Sequence, residues 1–404
     1  MISAVDSKSR WVVAHLGARD RYQLPLALHE SGQLETFVTD WYSPLDFFFM
    51  DSFLKCVPQS FGSTFTRRYL NELPSKLVKD MKLSCVRKLL LRTDIAEIKL
   101  NRKLGEYAAQ IASNSGSNLL ITSYYGWAAF PRLNEGTKKV LFQIHPHPWF
   151  LRTLYSKLNC RHETHPSFDS ELEMRVTEKF LNCWGRESLD ADVVIAASKF
   201  TRHSLLEVGV SAEKIHVVPY GVDSLVFRND IAAPSGKPKV LFVGQPTARK
   251  GLGNLLNVWQ QLNNSKAELH IATGTTANEP KNHSGGGIFW YNRLSLPELV
   301  ELMNRSDLIV LPSIAEGFGH VLLEGLSCGT PILCSNATAG PDILNDWEDG
   351  FIFPGGDWNS LAARLDYWLS NIDRLRRLRG AARSIAESLP WKKFRSGVRN
   401  ICNG

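Results

Sequence analysis

Short runs of apolar residues, each ended by a glycine or by polar residues, recur along the first half of the chain. They lie at 11–16, 36–40, 118–123, 139–144 and 191–197. Such runs are typical of strands that are buried on both faces of a parallel sheet. A helical stretch from Asp20 to Ser31, closed by Gly32, separates the first two runs. Because parallel neighbours need a crossover of this kind, the pattern predicts an α/β fold.

A second series of apolar runs follows a change in texture. Residues 217–238 are rich in proline, glycine and small residues, which is typical of a linker between domains. Further runs lie at 239–244, 268–272 and 307–311, and helical patterns follow from Asn359. The sequence therefore predicts two α/β halves, and 404 residues are enough for two domains.

Composition narrows the class of protein. With 44% hydrophobic and 22% charged residues, the chain is expected to fold into globular domains. Seven scattered cysteines without a Cys-x-x-Cys pair argue against a disulfide framework and a structural zinc site. The beginning of the chain lacks the apolar run of a signal peptide, and no run of about 18 apolar residues occurs. These features favour a cytoplasmic location.

The positive charge is concentrated in one segment. Residues 55–103 contain twelve lysines and arginines against four acidic residues, whereas the whole chain carries +7. Nine aromatic residues lie just before and within it, between Trp41 and Tyr69. One interpretation is that residues 41–103 contact an anionic membrane surface, peripherally at the inner face of the plasma membrane. The alternative is a packed insertion with a solvated basic face. No nucleic-acid motif accompanies the charge, so no nucleic-acid partner is predicted.

A loop rich in glycine carries the strongest chemical signal. An apolar run ends at Leu311, and Gly317 and Gly319 permit a tight loop before a helix that begins near His320. Free backbone N–H groups and a helix N-terminus in such a loop suit a diphosphate. Glu316 lies in the loop and Glu324 about one turn inside the helix, where carboxylates can accept hydrogen bonds from hydroxyls. The alternative is an ordinary glycine turn with two solvated glutamates.

The two glutamates belong to a longer pattern. Seven residues separate them in the context E-G-F-G…L-E…G-x-P, and the chain resembles a family 4 glycosyltransferase with the GT-B fold. The resemblance is nearly continuous from about 190 to 365 and loose over 1–180. It also includes the segments 191–201, 214–223, 243–251, 340–343 and 350–355.

The resemblance implies a specific architecture. It is α/β, with two Rossmann-like domains facing a central cleft and a C-terminal helix that crosses back to the first domain. Residues 1–220 would form the N-terminal acceptor-binding domain, and 236–384 the C-terminal domain for the nucleotide-sugar donor. Residues 385–404 would form the returning helix.

The resemblance also assigns roles in the donor site. Glu316 would contact hydroxyls of the donor sugar, Glu324 would hold the ribose, and Lys250 would contact the diphosphate. Most members carry an arginine directly after Gly244, but this chain has Gln245 there, so Arg249 is the proposed substitute. The remaining donor-binding residues that the resemblance implies are Gly244, Gly317, Phe318 and Gly319.

In the first domain, the family places a glycine in the first loop and a histidine after a central strand. Gly17 matches the glycine, where a side chain would block approach of the backbone to phosphate. His145 matches the histidine, with His147 as the alternative, although a histidine at a strand end is more often an ordinary loop residue.

Other positions near the predicted cleft have two interpretations each. His320 replaces a usual aliphatic residue, either as a tolerated substitution or as a contact that selects the donor. Tyr124, Tyr125 and Trp127 follow a strand end, where they would stack on a sugar acceptor or simply pack.

The function implied is a retaining glycosyltransferase, with Glu316, His145 and Lys250 as catalytic residues. The donor would be a nucleoside-diphosphate sugar, with UDP or GDP as the expected nucleotide, and the acceptor a lipid-linked saccharide or polysaccharide precursor. No cofactor or metal is predicted, because Cys160, His162, Glu163 and His165 lack the spacing of a zinc motif. The alternatives are a GT-B epimerase or phosphorylase, and a non-catalytic partner that binds nucleotide-sugar or membrane.

Overall fold

The computed structural model describes residues 10–42, 68–82, 84, 93–160, 167–229, 234–262, 266–274 and 287–404. Most of the predicted aromatic and basic segment, and the histidines at 162 and 165, lie outside these ranges.

The first sheet has seven parallel strands among the described residues, in the order β3-β2-β1-β4-β5-β6-β7. The strands are β1 Trp11–Ala14, β2 Leu34–Thr39, β3 Val78–Asp80, β4 Asn118–Thr122, β5 Lys139–Gln143, β6 Val193–Ala196 and β7 Ile215–Val217.

The second sheet has six parallel strands in the described chain, in the order β10-β9-β8-β11-β12-β13. The strands are β8 Lys239–Val243, β9 Glu268–Thr273, β10 Ile288–Asn292, β11 Leu308–Leu311, β12 Ile332–Ser335 and β13 Phe351–Phe353. The central strands of both sheets are buried on both faces, as strands covered by helices on each side must be. The predicted α/β class is confirmed.

Helices connect the strands and cover the sheets. They are α1 Gln23–His29, α2 Asp94–Ser115, α3 Gly126–Ala129, α4 Pro148–Asn159, α5 Leu172–Arg175, α6 Glu178–Asp190, α7 Lys199–Glu207, α8 Leu252–Leu262, α9 Leu296–Asn304, α10 His320–Ser327, α11 Gly340–Ile343, α12 Trp358–Ser370, α13 Ile372–Arg377, α14 Arg379–Glu387 and α15 Trp391–Asn403. In the described part of the chain, no helix combines the length and apolar character that crossing a membrane requires.

One helix boundary differs from its prediction. The first helix begins at Gln23 and not at Asp20, because Asp20, Arg21 and Tyr22 adopt left-handed backbone conformations with φ of 49°, 51° and 61°. Side chains other than glycine adopt this conformation at an energetic cost, and such residues concentrate at functional sites. The segment is a loop that follows β1.

The two domains meet at the loop between β11 and α10. The Ser198 Oγ at the N-terminus of α7 donates a hydrogen bond of 2.6 Å to the carbonyl of Gly317, and the Thr201 Oγ1 donates another of 3.1 Å. A Cβ on Gly317 would lie 1.8 Å from the Ile144 carbonyl oxygen. Glycine is therefore required here by the close approach of the other domain.

The last helix returns to the first domain, as predicted. On α15, Arg399 lies 2.7 Å from the Glu30 carboxylate and Arg395 lies 3.0 Å from it. The Gln33 side chain also donates a hydrogen bond of 2.7 Å to Asn403. These contacts attach the end of the chain to the helix that follows β1.

Candidate active site

A cavity of about 720 Å³ lies between the two domains. Its walls come from loops that follow β1 and β5 in the first sheet and β8, β9, β10 and β11 in the second. Carboxyl ends of parallel strands are the usual place for ligands in α/β sheets. Of the predicted site residues, the cavity is lined by Gly17, His145, Gly244, Lys250, Glu316, Phe318 and Gly319.

Glu316 is paired with two cations at the cavity wall. The Lys250 ammonium donates a hydrogen bond to its carboxylate, and Arg249 Nη1 lies 3.1 Å from the same oxygen, Oε2. Burial by itself would raise the pKa of Glu316, but Arg249 and Lys250 lower it to about 2. Glu316 is thus a carboxylate throughout the ordinary pH range and can accept hydrogen bonds from hydroxyl groups.

The loops that present this cluster depend on glycine. Gly251 has φ of +73°, and a Cβ there would lie 2.2 Å from the Pro312 carbonyl oxygen. Gly319 has φ of +89° and precedes the first residue of α10. Phe318, which is buried between these elements, contacts the Tyr220 ring with centroids 5.2 Å apart. Close packing of backbone against backbone therefore fixes the position of Glu316 and Lys250.

His145 lines the cavity from the first domain, directly after β5. Burial and the nearby Arg249 and Arg19 guanidinium groups lower the pKa of His145 to about 3. The imidazole is neutral at pH 7, so it can donate or accept a hydrogen bond but contributes no positive charge. The alternative residue, His147, lies elsewhere: it is fully buried, accepts a hydrogen bond from the Trp149 amide and lies 3.0 Å from the Gly185 carbonyl. His147 caps a helix.

Gly17 has a left-handed backbone conformation, with φ of +71°. Its amide, however, donates a hydrogen bond of 2.8 Å to Asp40, and Asp40 is also paired with Arg68 at 2.6 Å. In this structure the Gly17 amide is therefore directed at a buried carboxylate.

Two of the residues predicted for the donor site, Gly317 and Glu324, do not line the main cavity. Gly317 acts at the domain contact described above and does not line the cavity. Glu324 is half-buried one turn inside α10, and it too lies outside the cavity lining. Burial raises the pKa of Glu324, while His320 and Arg21 oppose that rise.

Arg249 points away from the main cavity and into a smaller one. Its guanidinium contacts Glu316 and lies 3.7 Å from Glu171, and its Nη1 donates to the Ala315 carbonyl at 3.0 Å. Gln245 does line the main cavity. Arg249 therefore holds Glu316 in place, while the neutral Gln245 directly after Gly244 lines the main cavity.

The smaller cavity, of about 220 Å³, opens beside the main one in the first domain. It shares Arg19, Ile144 and His145 with the main cavity, and its other walls combine polar residues with apolar ones such as Leu151 and Leu172. Three glutamates and an asparagine contribute to its walls, together with two tyrosines: Glu97, Glu171, Glu173, Asn101, Tyr124 and Tyr125. We call it the side cavity.

Glu187 holds the tyrosine wall of the side cavity. Its carboxylate accepts backbone hydrogen bonds from Tyr124 at 2.7 Å and Trp127 at 3.0 Å. Tyr124 has φ of 74°, and its hydroxyl donates to Glu173 at 2.7 Å. Tyr124 and Tyr125 line the side cavity, whereas Trp127 does not.

Several lining residues escaped the sequence analysis. Arg19, Asp20 and Tyr220 line the main cavity, and Asn101 lines the side cavity. One feature of the sequence could have indicated Arg19 and Asp20: they lie two and three residues after Gly17, close to the predicted first loop. The apolar pattern instead predicts Asp20 as the first residue of a helix and Arg19 as the residue before it.

Solved structures resemble this chain over nearly its full length. The sucrose-phosphate synthase of Thermosynechococcus elongatus matches with a TM-score of 0.65 at 17% sequence identity, covering 97% of this chain and 98% of that one. HepE of Anabaena, solved in complex with UDP, matches with a TM-score of 0.60 at 14% identity, covering 98% and 99%. Two facing Rossmann-like domains with a returning C-terminal helix define the GT-B fold, which is thereby confirmed.

Family models account for most of the same chain. The model for Glycosyltransferase Family 4 matches residues 99–224, and the model for Glycosyl transferases group 1 matches residues 223–385. The chain belongs to the family 4 glycosyltransferases.

Curated relatives agree with this assignment. The MMP alpha-(1->4)-mannosyltransferase of Mycolicibacterium hassiacum is 29% identical over 224 residues, which is 50% of this chain and 51% of the relative. The sulfoquinovosyl transferase of Arabidopsis thaliana is 27% identical over 225 residues, which is 52% and 44%. The chain spans about half the length of the curated relatives it matches.

Proposed function

We propose that this glycosyltransferase moves a sugar from a nucleoside-diphosphate sugar to a hydroxyl acceptor with retention of anomeric configuration. The observation that carries the proposal is the buried Glu316 carboxylate paired with Lys250 at the wall of the interdomain cavity. This pair offers an acceptor for sugar hydroxyls beside a cation for phosphate oxygens. A nucleotide-sugar presents both groups next to each other.

Donor binding would rearrange this pair. Lys250 gives its hydrogen bond to Glu316 in the structure, and an incoming diphosphate would compete for the same ammonium group. Glu316 would keep Arg249 as its partner at 3.1 Å and gain hydrogen bonds from the sugar. The N-terminus of α10 at Gly319 would offer backbone N–H groups to the phosphates.

Catalysis would rest on stabilising the departing diphosphate. The bond from the anomeric carbon to the phosphate oxygen breaks through an oxocarbenium-like transition state, and negative charge grows on the leaving oxygen. Cations and helix dipoles placed there in advance lower the barrier. The acceptor hydroxyl would attack from the face that the diphosphate leaves, forming the new glycosidic bond with retention and passing its proton to that oxygen.

The side cavity is the proposed site of the acceptor. It opens beside His145, which it shares with the donor cavity, and it carries carboxylates and hydroxyls that can hydrogen-bond to a saccharide. The Asn101 Oδ1 is buried there without a hydrogen-bond partner among the described residues. A saccharide hydroxyl would satisfy it. The relatives' names include a mannosyltransferase and a sulfoquinovosyl transferase, and for this chain we propose a lipid-linked saccharide or polysaccharide precursor.

Membrane association remains part of the proposal. The part of the basic segment that the structure describes includes Lys99, Arg102 and Lys103 on α2, which are exposed. Anionic headgroups attract such residues, each contributing about 1 kcal/mol near the surface. A cytoplasmic protein held at the inner face of the plasma membrane would meet a lipid-linked acceptor there.

A thermal-shift panel tests the donor proposal. The purified protein is melted with UDP-, GDP- and ADP-sugars, because a ligand that binds only the folded state raises the melting temperature. We expect one nucleotide class, UDP or GDP, to stabilise the wild type, and Lys250→Gln to weaken that effect. If no nucleotide-sugar raises the melting temperature of the wild type, the proposal is contradicted.

A further inference from the structure

Arg19 lies where the main cavity and the side cavity join, and it lines both. It follows β1 in the first domain, whereas Lys250 comes from the second domain. A ligand between the two sheets would therefore have Lys250 on one side and Arg19 on the other.

Among the described residues, the half-buried Arg19 guanidinium forms no ion pair with a carboxylate, unlike other cations in and near the site. Lys250 and Arg249 are paired with Glu316, and Arg68 with Asp40. Within the described part of the chain, Arg19 forms a hydrogen bond with Tyr125, and its Nε is buried without a partner. A buried charge is stable only when it is paired and hydrogen-bonded.

The carboxylate of the neighbouring Asp20 contacts the second domain. Asp20 Oδ1 lies 3.0 Å from His320 Nε2 on the second domain. This contact ties the loop that carries Arg19 to α10. The left-handed conformation of Asp20 and Arg21 belongs to the same loop, so its shape is set by contacts across the cleft and not by local preference.

The usual sources of positive potential for phosphate are weakened in this cleft. The Gly17 amide is bonded to Asp40, and Gln245 is a neutral residue in the cavity wall. Arg249 is paired with the Glu316 and Glu171 carboxylates. Arg19 is the cation of the first domain that lines the main cavity among the described residues.

We propose that Arg19 binds the diphosphate of the donor from the first domain, opposite Lys250, and stabilises the leaving group. The inference rests on the proposed nucleotide-sugar donor. A guanidinium suits this role because it presents several N–H groups in a plane to phosphate oxygens and stays charged. Two sources of phosphate fit the same chemistry, the donor diphosphate and a phosphorylated acceptor, and we assign the former.

The test measures nucleotide binding without acceptor. Wild type, Arg19→Gln and Arg19→Lys are titrated calorimetrically with UDP, GDP, UMP and GMP. Arg10→Gln is the matched control, since Arg10 precedes the opposite end of β1 and is half exposed, paired with Glu35. We expect Arg19→Gln to lower the affinity for the nucleoside diphosphate about 10- to 100-fold, which corresponds to the loss of a hydrogen bond to a charged group. The affinity for the nucleoside monophosphate should fall less. Arg19→Lys should recover part of the affinity for the diphosphate, and Arg10→Gln should leave both affinities unchanged.

The outcomes separate the inference from the function on which it rests. If the wild type binds a nucleoside diphosphate and Arg19→Gln binds it within twofold while melting normally, Arg19 does not hold the donor. If a steady-state transfer assay shows that Arg19→Gln raises the KM of a phosphorylated acceptor while its affinity for the nucleoside diphosphate is unchanged, the acceptor is the source of the phosphate and the inference is wrong. If the wild type binds no nucleoside diphosphate, the proposed function fails and the inference falls with it.

Discussion

His320 and Asp20 face each other across the cleft, with the histidine Nε2 3.0 Å from the aspartate Oδ1. The first residue of α10 is thereby joined to the loop after β1. The Tyr220 ring packs on His320 with centroids 4.5 Å apart. Desolvation in the cleft opposes the charge on the imidazole, but Asp20 raises the pKa of His320 above its ordinary value. A charged contact between two domains is the result.

This contact predicts a pH-dependent contribution to stability. Because the folded-state pKa of His320 is raised, the contribution is fully present below the ordinary pKa of about 6.5 and is lost as pH rises through the folded value. The His320 side chain is 40% exposed, so the effect should stay at about 1 kcal/mol or less. The difference in melting temperature between wild type and His320→Gln should shrink from pH 6 to pH 9.

Asp20→Asn provides the control for this prediction, since it removes the partner but keeps the histidine. It should abolish the same pH-dependent difference. A wild-type advantage over His320→Gln that is constant with pH would show that the contact acts by packing alone.

Replacing Glu316 should separate binding from transfer. Glu316→Gln removes the carboxylate that pairs with Lys250 and Arg249, which frees Lys250 for phosphate but leaves the sugar hydroxyls without a charged acceptor. We expect turnover to fall at least about 100-fold, the scale for loss of one preorganised electrostatic contact to a transition state, while the affinity for the nucleoside diphosphate is kept or improved.

Steady-state kinetics and calorimetry on the same variant measure both quantities. Since the pKa of Glu316 is about 2, wild-type activity should show no loss that tracks protonation of this residue above about pH 4. Equal turnover in wild type and Glu316→Gln would contradict the catalytic role.

Gly317 is predicted to be intolerant of any side chain. In Gly317→Ala the new Cβ would meet the Ile144 carbonyl oxygen at 1.8 Å, so the two domains would have to separate locally. We expect a lower melting temperature and a larger radius of gyration in X-ray scattering. The matched control is Gly380→Ala on α14, where a Cβ has nothing within 4 Å and should stabilise by up to about 1 kcal/mol. Identical melting of the two variants would rule out the steric argument.

Asn101 provides a test of the acceptor cavity. Its side chain is buried, and its Oδ1 lacks a hydrogen-bond partner among the described residues. Asn101→Leu should leave stability unchanged or raise it, because an unsatisfied polar atom is removed. We expect the acceptor KM to rise about tenfold while donor affinity stays constant. A rise in donor KM alone would place the acceptor elsewhere.

The sequence predicted the elements whose signal is local. Buried strands such as β1, β5 and β11 appear as apolar runs, and the loop from Glu316 to Gly319 appears through its glycines. Short strands such as β3, β7 and β13 were not predicted from apolar runs, because three residues are too few to form a pattern. The predicted start of the first helix at Asp20 was wrong. Asp20 contacts His320, 300 residues away, and this contact imposes a backbone conformation that local preference does not favour.

The same distinction holds for the site. Lys250 and Glu316 were predicted from a motif, and the structure brings them into contact. The bond between the Gly17 amide and Asp40 could not be predicted, since it joins two strand ends through a side chain of ordinary appearance. Arg19 was missed for the same reason: its position depends on how the two domains meet.

The most direct test of the central claim is the anomeric configuration of the product. The wild-type protein is incubated with the donor that stabilises it and with a panel of uncharged alkyl glycosides, and the new anomeric proton is followed by NMR. The account predicts a glycoside with the donor's configuration, and none with Glu316→Gln. A product of inverted configuration, or conversion of the donor into an epimer without transfer, would contradict it.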